Sequence, residues 1–443
     1  MQRTLAHETD DLAGTDPGRP TTRRRALLAA AIGNGIEWFD FAAYGFVAVY
    51  IGAAFFSTSD PTTQLLATFA VYGLTFVVRP LGGLYFGPLA DRVGRQRVLV
   101  AVLLLMAVAT GLVGVLPTYA TIGVAAPVLL VVLRSLQAFS AGGEYGSATS
   151  FLVEYAAPGR RGAGTGWMMF SAVVGFMAAG LLVLLLQLGL GEETMQAWGW
   201  RVPFLLAFPL GAVGLYIRVK LEDTPEYRSL QAVGDVAAAP LREALALPRQ
   251  LLVTFGIAAL HGSAFYMVLT YLLSYVSITA GLGTTTGLLT CLTAGAAALA
   301  LIPGMSSLSD RVGRRPILVV SSAGLALLVV PVFALIRSGT TGAFVGQAVL
   351  GLLLGSLIST SIVAMAEIFP ARVRSAGNSL AYTLGVMVFG GTAPFIATWL
   401  VERTGSSLAP AFYLVGTALI GLTAALALPA PAERVTATVG QEG

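Results

Sequence analysis

Five charged side chains sit inside apolar stretches: Glu37 and Asp40, then Arg79, then Arg134 and Glu144. A charge at the centre of a membrane helix costs roughly 2.5–3.5 kcal/mol on the insertion scale, so five unpaired ones cost on the order of 12–18. Residues of these types are kept at such depth when they move protons or hold a charged solute. Asp40 lies near the middle of its run or just beyond, and Arg134 sits near mid-depth of another. Glu37 precedes Asp40 by three residues, which puts it on a neighbouring part of the same helix surface. It is either an alternative proton site or a partner for Arg79. Arg79 precedes Pro80, where a helix ladder is broken, and could pair with either acid or hold a carboxylate. Glu144 lies among Gly142, Gly143 and Gly146, a small-residue spacing that lets helices pack closely, so a packing and anchoring role fits it best. All five belong to the first half of the chain. The second half has only His261 at comparable depth, which points to proton coupling in the first half.

The second half offers rings instead of charges. Tyr266, Tyr271 and Tyr275 follow at spacings of five and four, on one broad helical stripe. Aromatic faces attract a quaternary ammonium by about 0.5–2 kcal/mol each. The same stripe also fits plain helix packing or an interfacial belt.

The elements that must position these residues are membrane helices. The chain has 443 residues, of which 56% are hydrophobic and 11% charged, with mean hydropathy +0.81. Soluble domains carry about 25% charged residues. Spans of about 20 apolar residues fall near 26–52, 64–90, 98–116, 124–152, 164–188 and 201–219. A second set falls near 251–279, 285–308, 317–336, 341–367, 376–400 and 408–428. The expected organisation is a disordered tail at 1–22 and a six-helix half at 23–220. A cytoplasmic linker at 221–249, a second half at 250–428 and a short tail at 429–443 complete it. Most of the 26 basic residues fall in loops on one side when both ends are placed inside, so the positive-inside rule puts both termini in the cytoplasm. Arg23, Arg24 and Arg25 precede a first run too long for a signal peptide, so it reads as a helix that stays. The single cysteine, Cys291, lies in an apolar run and excludes a disulfide framework.

Charge is concentrated a second way. Asp91-Arg92-Val93-Gly94-Arg95-Gln96-Arg97 returns as Asp310-Arg311-Val312-Gly313-Arg314-Arg315-Pro316. Glu154 with Arg161-Gly162-Ala163-Gly164 returns, at nearly the same offset, as Glu367 with Arg374-Ser375-Ala376-Gly377. Two patterns at one offset indicate two halves built on one plan in the same direction, one of the plans used by secondary transporters. Carboxylate–arginine bonds at such helix junctions can be bidentate. A network of Asp91, Arg92, Arg95, Glu154 and Arg161, with Asp310, Arg311, Arg314, Glu367 and Arg374, could hold the inner face closed and break when the halves rock apart. A solvated ion pair worth ~0–1 kcal/mol is the bland alternative.

The chain resembles the major facilitator superfamily. The resemblance rests on Gly87-Pro-Leu-Ala-Asp91-Arg92-Val-Gly94-Arg95 after the second span, on its copy after the eighth, and on the matching loops after the fourth and tenth. It covers essentially all twelve spans. Gly33-Asn34-Gly35-Ile36-Glu37-Trp38-Phe39-Asp40-Phe41, Arg79-Pro80-Leu81-Gly82-Gly83, Gln137-Ala-Phe-Ser140-Ala-Gly142-Gly143-Glu144-Tyr145 and Trp198-Gly-Trp200-Arg201-Val-Pro203-Phe204 narrow it to the metabolite:proton symporters. Tyr266-Met-Val-Leu-Thr270-Tyr271-Leu-Leu-Ser274-Tyr275 is most similar to the proline/betaine branch.

This resemblance implies an all-α membrane protein of twelve helices in two six-helix halves, in the cell membrane. It implies import of a small organic solute together with protons, a zwitterion such as proline or glycine betaine being favoured. A di- or tricarboxylate, ketoglutarate or shikimate is the alternative, and proton-coupled export a second one. It pairs Asp40 with Arg134: a proton neutralises the acid and frees the arginine for an anionic solute group. Glu37 joins them in proton coupling. Arg79, Tyr44, Tyr266 and Tyr271 join Arg134 as candidate solute contacts. Ser306 replaces the first glycine of the signature in the second copy, which implies a looser helix contact there. Met169 stands where relatives have a polar residue, Arg134 where the branch has lysine, and no long C-terminal coiled coil follows the last span. The chain has no phosphate loop and no metalloprotease motif, so an enzyme or an ATP-driven pump is not expected. Neither is a cofactor, a metal, a nucleic-acid partner or an obligate oligomer. Nothing appended to the spans could signal, which disfavours a sensor.

Overall fold

An apolar chain in lipid must satisfy its backbone polar groups internally, and for continuous runs the solution is the α-helix. The computed structural model describes residues 34–57, 60–93, 95–142, 160–220, 240–370 and 373–429. Of the charged residues singled out above, Glu144 and Glu154 and the side chains of Asp91, Arg92 and Arg95 lie outside the described residues. So do both chain ends and most of the 221–249 linker.

Twelve helices carry the described chain. α1 runs Asn34–Phe46 and continues as Ala48–Phe55 after a 58° bend. α2 is Pro61–Val93, α3 Arg95–Val115, α4 Ala125–Ala141, α5 Arg161–Ala197 and α6 Ala207–Lys220, whose span begins in the short helical turns Gly199–Arg201 and Val202–Leu205. A short helix at Pro240–Leu245 precedes α7, which spans Pro248–Thr279. α8 is Thr284–Val312, α9 Arg314–Ile336, α10 Thr340–Glu367, α11 Arg374–Thr404 and α12 Ala409–Leu426. Ten of these, the bent α1 included, are long and apolar enough to cross a membrane among the described residues. α3 and α4 add the shorter apolar stretches Val100–Val115 and Ala125–Ala141. α5 outruns its expected end near residue 188, continuing to Ala197 across a break at Gly191, whose φ of 78° ends the regular turn.

Two packing patterns place the site. Within the first six helices, α4 packs on α2 and α3, and α6 packs on α3. Within the last six, α10 packs on α8 and α9, and α7 packs on α11 and α12. The sets meet where α5 lies along α8 and α10, and where α11 crosses α2. α7 and α10 are the most enclosed spans, whereas α8 and α9 keep about half their surface outward. The outward surfaces of α5 and α9 carry Leu181, Leu185, Leu188, Val320 and Leu327, an apolar surface that suits lipid tails and would be a liability in water. α1 and α7 approach closely at Gly45, where a Cβ would stand 2.7 Å from Thr270 Cγ2. α7 also contains π-helical turns at Met267–Tyr271 and Tyr275–Thr279.

Candidate functional site

The charges of α1, α2 and α4 meet the rings of α7 at the centre of the bundle. Asp40 and Arg134 are 2% and 1% exposed. Phe41, Tyr44, Tyr72, Phe76 and Tyr266 surround them. Tyr44 stacks on Tyr72 with centroids 5.9 Å apart and planes 15° from parallel. Phe41 meets Tyr72 and Phe76 edge-on at 6.0 and 5.5 Å. Tyr266 closes the group from α7, 5.9 Å from Tyr72 and 5.1 Å from Phe76. Trp38 and Phe265 extend the same aromatic column, 5.0 Å apart.

The polar groups inside this shell are incompletely satisfied. Among the described residues no ion pair joins Asp40 to Arg134. The Arg134 guanidinium hydrogen-bonds Gln137 and lies 4.4 Å from the Tyr44 ring centroid and 5.7 Å from that of Phe41. Its Nε and Nη2, together with Asp40 Oδ1, Arg79 Nε and Gln137 Nε2, are buried without a hydrogen-bond partner. The α1–α4 pair implied by the resemblance is therefore buried in one cluster without forming an ion pair. The reason is local: the ring of Tyr44, one turn beyond Asp40 on α1, takes the guanidinium, and Tyr44 is itself fixed by donating to Thr68 O at 3.1 Å. Glu37 pairs with Arg79 at 3.7 Å. Arg79 also stands 4.3 Å from the Phe41 centroid. A small pocket opens beside it, lined by Phe76, Arg79, Ala141, Gly142, Tyr382, Thr383 and Val386 from α2, α4 and α11.

The charge knot of the second half is the reverse case. Arg314 donates to Glu367 through Nε and Nη2 at 3.2 and 3.1 Å, and to Asp310 through Nη1 at 2.8 Å. Asp310 in turn accepts the backbone N–H groups of Gly162 and Ala163 at 2.8 and 2.9 Å. A carboxylate from α8 thus caps the N-terminus of α5, where orphan donors and the helix dipole favour negative charge. The cap needs Gly162: a Cβ there would meet Ser306 O at 2.7 Å and Asp310 Oδ1 at 2.8 Å. Ser306 does not loosen this junction. It faces Gly166 of α5, whose Cβ would lie 2.6 Å from Ser306 Cβ, so the small residue has moved to the opposite helix. Arg161 and Arg311 point outward from the knot, and Arg374 starts α11.

The three tyrosines of α7 do not share one site. Tyr266 joins the central cluster. Tyr271 meets Tyr275 at 5.9 Å with the rings tilted by 47°, and Tyr275 reaches Phe333 of α9 at 5.2 Å and donates to Ser407 O at 2.9 Å. The π-helical turn between Met267 and Tyr271 closes i→i+5 bonds, so spacings read on an α-helical wheel do not keep the three on one face. His261 is bonded through Nδ1 to Ser361 Oγ at 2.7 Å and stacks on Phe265, the satisfied packing of a core histidine. Cys291 is buried and donates to Leu269 O at 3.1 Å.

Gln137, Phe41, Tyr72 and Phe76 were not among the sequence candidates. Gln137 lies one helical turn after Arg134, and Tyr72 lies two turns before Arg79 on the same face, so helical periodicity could have found both.

The chain matches the model of the Major Facilitator Superfamily over residues 30–335 and 283–443. It is 37% identical to the proline/betaine transporter of Salmonella typhimurium over 422 residues, covering 93% of this chain and 84% of that one. It is also 37% identical to the glycine betaine/proline/ectoine/pipecolic acid transporter of Dickeya dadantii, covering 94% and 85%. The crystal structure of a D-xylose-proton symporter superposes with a TM-score of 0.71 at 16% identity, covering 91% of this chain and 96% of that one. A partially occluded, inward-open xylose transporter from E. coli superposes with 0.69 at 15%, covering 92% and 97%. The chain belongs to the major facilitator superfamily, in the branch of the proline/betaine transporters. It is a multi-pass protein of the cell membrane.

Proposed function

We propose that the protein is a proton-coupled symporter that imports a small zwitterionic carboxylate, proline or glycine betaine, by alternating access. The observation that carries this reading is the buried cluster at the centre of the bundle, where Asp40 and Arg134 both keep side-chain atoms without a hydrogen-bond partner. An uncompensated buried charge is costly. A proton on Asp40 and a solute carboxylate on Arg134 would each remove one such cost, and the added proton leaves the loaded site one positive charge above the empty one. The relatives named above support the solute class.

One further feature favours a zwitterion over a di- or tricarboxylate. Glu37 already offsets Arg79, so Arg134 is the cation left for a carboxylate among the described residues of the cluster. In this reading Glu37 tunes Arg79 and Asp40 carries the proton. The residue 23–220 and 250–428 halves rock about the cluster, joined by the 221–249 linker. The Asp310–Arg314–Glu367 knot acts as the inner gate. It ties α5 of the first half to α8, α9 and α10 of the second, and opening that face would pull Asp310 off the α5 terminus. The solute faces the aromatic shell through Tyr44 and Tyr266, with Tyr271 outside first contact.

The test is uptake into proteoliposomes holding the purified chain. An inward proton gradient should drive accumulation of labelled proline or glycine betaine, and adding solute should drive proton entry. Asp40→Asn should abolish gradient-driven accumulation while leaving solute exchange across the membrane. Uptake indifferent to the gradient, or solute accumulating only when the gradient is reversed, would reject the reading. A thermal-shift comparison with ketoglutarate, citrate and shikimate separates the solute classes, because a bound ligand stabilises the folded state.

A further inference from the structure

The arginine of the central cluster occupies the place where a solute cation would be expected. Its guanidinium stands 4.4 Å from the Tyr44 centroid and 5.7 Å from that of Phe41, within the range at which ring faces attract cations. The seat is built before any ligand arrives. Tyr44 is pinned by its bond to Thr68 O and by its stack on Tyr72, and Tyr72 is braced by Tyr266 from the other half. Two guanidinium nitrogens, Nε and Nη2, have no hydrogen-bond partner although fully buried. A side chain held this way is weakly tied for an arginine, since its strongest bonds are bidentate ones to carboxylates.

We propose that Arg134 is an internal surrogate for the cationic group of the solute, seated on Tyr44 until an alkylammonium carboxylate exchanges with it, while Phe41 keeps the Arg79 guanidinium 4.3 Å from its centroid. This rests on the zwitterion reading above. In the exchange the solute carboxylate draws the guanidinium off Tyr44, and the solute ammonium takes the vacated ring face. The Tyr44 ring holds one cation before and after. Both halves of the solute are needed. A cation without a carboxylate meets the guanidinium already in place and is repelled. A carboxylate without a cation removes Arg134 and leaves the Tyr44 ring empty. Discrimination for zwitterions therefore arises from one side chain with two alternative partners, and the carrier screens against bare organic cations with no separate filter.

The test uses the purified full chain and two probes, tetramethylammonium and glycine betaine, with binding measured by calorimetry. The native chain should bind glycine betaine and bind tetramethylammonium barely or not at all. Arg134→Gln should lose glycine betaine affinity and gain tetramethylammonium affinity by about tenfold or more, since the Tyr44 face is now free. Arg134→Gln combined with Tyr44→Leu should lose that gain. A folded Arg134→Gln variant with no gain overturns the proposal, as does a gain that persists in the double variant. If Arg134→Gln does not fold, Tyr44→Leu and Tyr44→Phe decide. Leucine should weaken glycine betaine binding at least about fivefold, and phenylalanine, which keeps the ring, by less than about twofold; equal effects overturn the proposal. A native chain that binds neither proline nor glycine betaine removes the proposed function, whereas the tetramethylammonium comparison tests the seat by itself.

Discussion

The central cluster and the α8–α10 charge knot are made of the same residue types, yet their bonding is opposite. In the knot Arg314 meets two carboxylates, one of them through two nitrogens, and Asp310 spends its remaining capacity on the α5 terminus. In the cluster Arg134 meets an amide and two rings, and Asp40 keeps an oxygen without a partner. The knot is satisfied within the protein, whereas the cluster is left short of partners. A half-satisfied buried network is expensive, and that cost is the basis for proposing the cluster as the solute site and the knot as the gate.

Removing an arginine from each region is the strongest way to break this comparison. Arg314→Ala leaves Asp310 and Glu367 unpaired and should cost ~3–5 kcal/mol of stability, read by thermal unfolding in detergent. A loss below ~1 kcal/mol would mean that the knot is only a solvated ion pair. Arg134→Gln should behave differently. Its effect on stability should stay within ~1 kcal/mol, because no carboxylate is left behind in contact. Proline uptake should nevertheless fall on the order of 30- to 100-fold, as expected when one partner of a buried charged contact is deleted.

Gly162→Ala sharpens the comparison at the backbone. The new methyl would push into Ser306 O and Asp310, so the cap on α5 should loosen, with a cost of ~1–3 kcal/mol. Stability that matches the native chain would show that the α5–α8 approach is slack. The smallest effect belongs to a satisfied charge in water. Asp60 caps α2 by accepting from Thr63 Oγ1 at 2.6 Å and Thr63 N at 2.8 Å. These bonds, the hydroxyl one foremost, hold its carboxyl below the ordinary range. A lowered value in the folded state means that the contribution is present above the ordinary carboxylate range and is lost as pH falls through the lowered one. The stability difference between native chain and Asp60→Ala should therefore shrink on acidification; a difference that holds constant with pH would contradict this.

Much of the architecture was legible in the chain. The apolar runs set twelve helices because lipid leaves the backbone no other partner, and the returning Asp91 and Asp310 motifs marked two related sets. The depth of Asp40, Arg79 and Arg134 was readable for the same reason, since position along a helix converts directly to distance. Which groups touch was less legible. The expected Asp40–Arg134 ion pair is not formed, the guanidinium lying on the ring of Tyr44 instead, and the α7 tyrosine stripe is broken by a π-helical turn. The looser contact attributed to Ser306 failed because Gly166 compensates from another helix.

By itself, the sequence determined that this is a membrane bundle, where its charges lie in depth, and which loops carry the knots. These follow from local composition, because each helix is settled by its own residues in lipid. Only the tertiary structure decided that Asp310 caps α5, that Arg314 bridges Asp310 to Glu367, and that Arg134 rests on an aromatic seat while Asp40 stays unpartnered. Those outcomes depend on helix rotation and on competition among several partners within one shell, and no single stretch of the chain contains both sides of that competition.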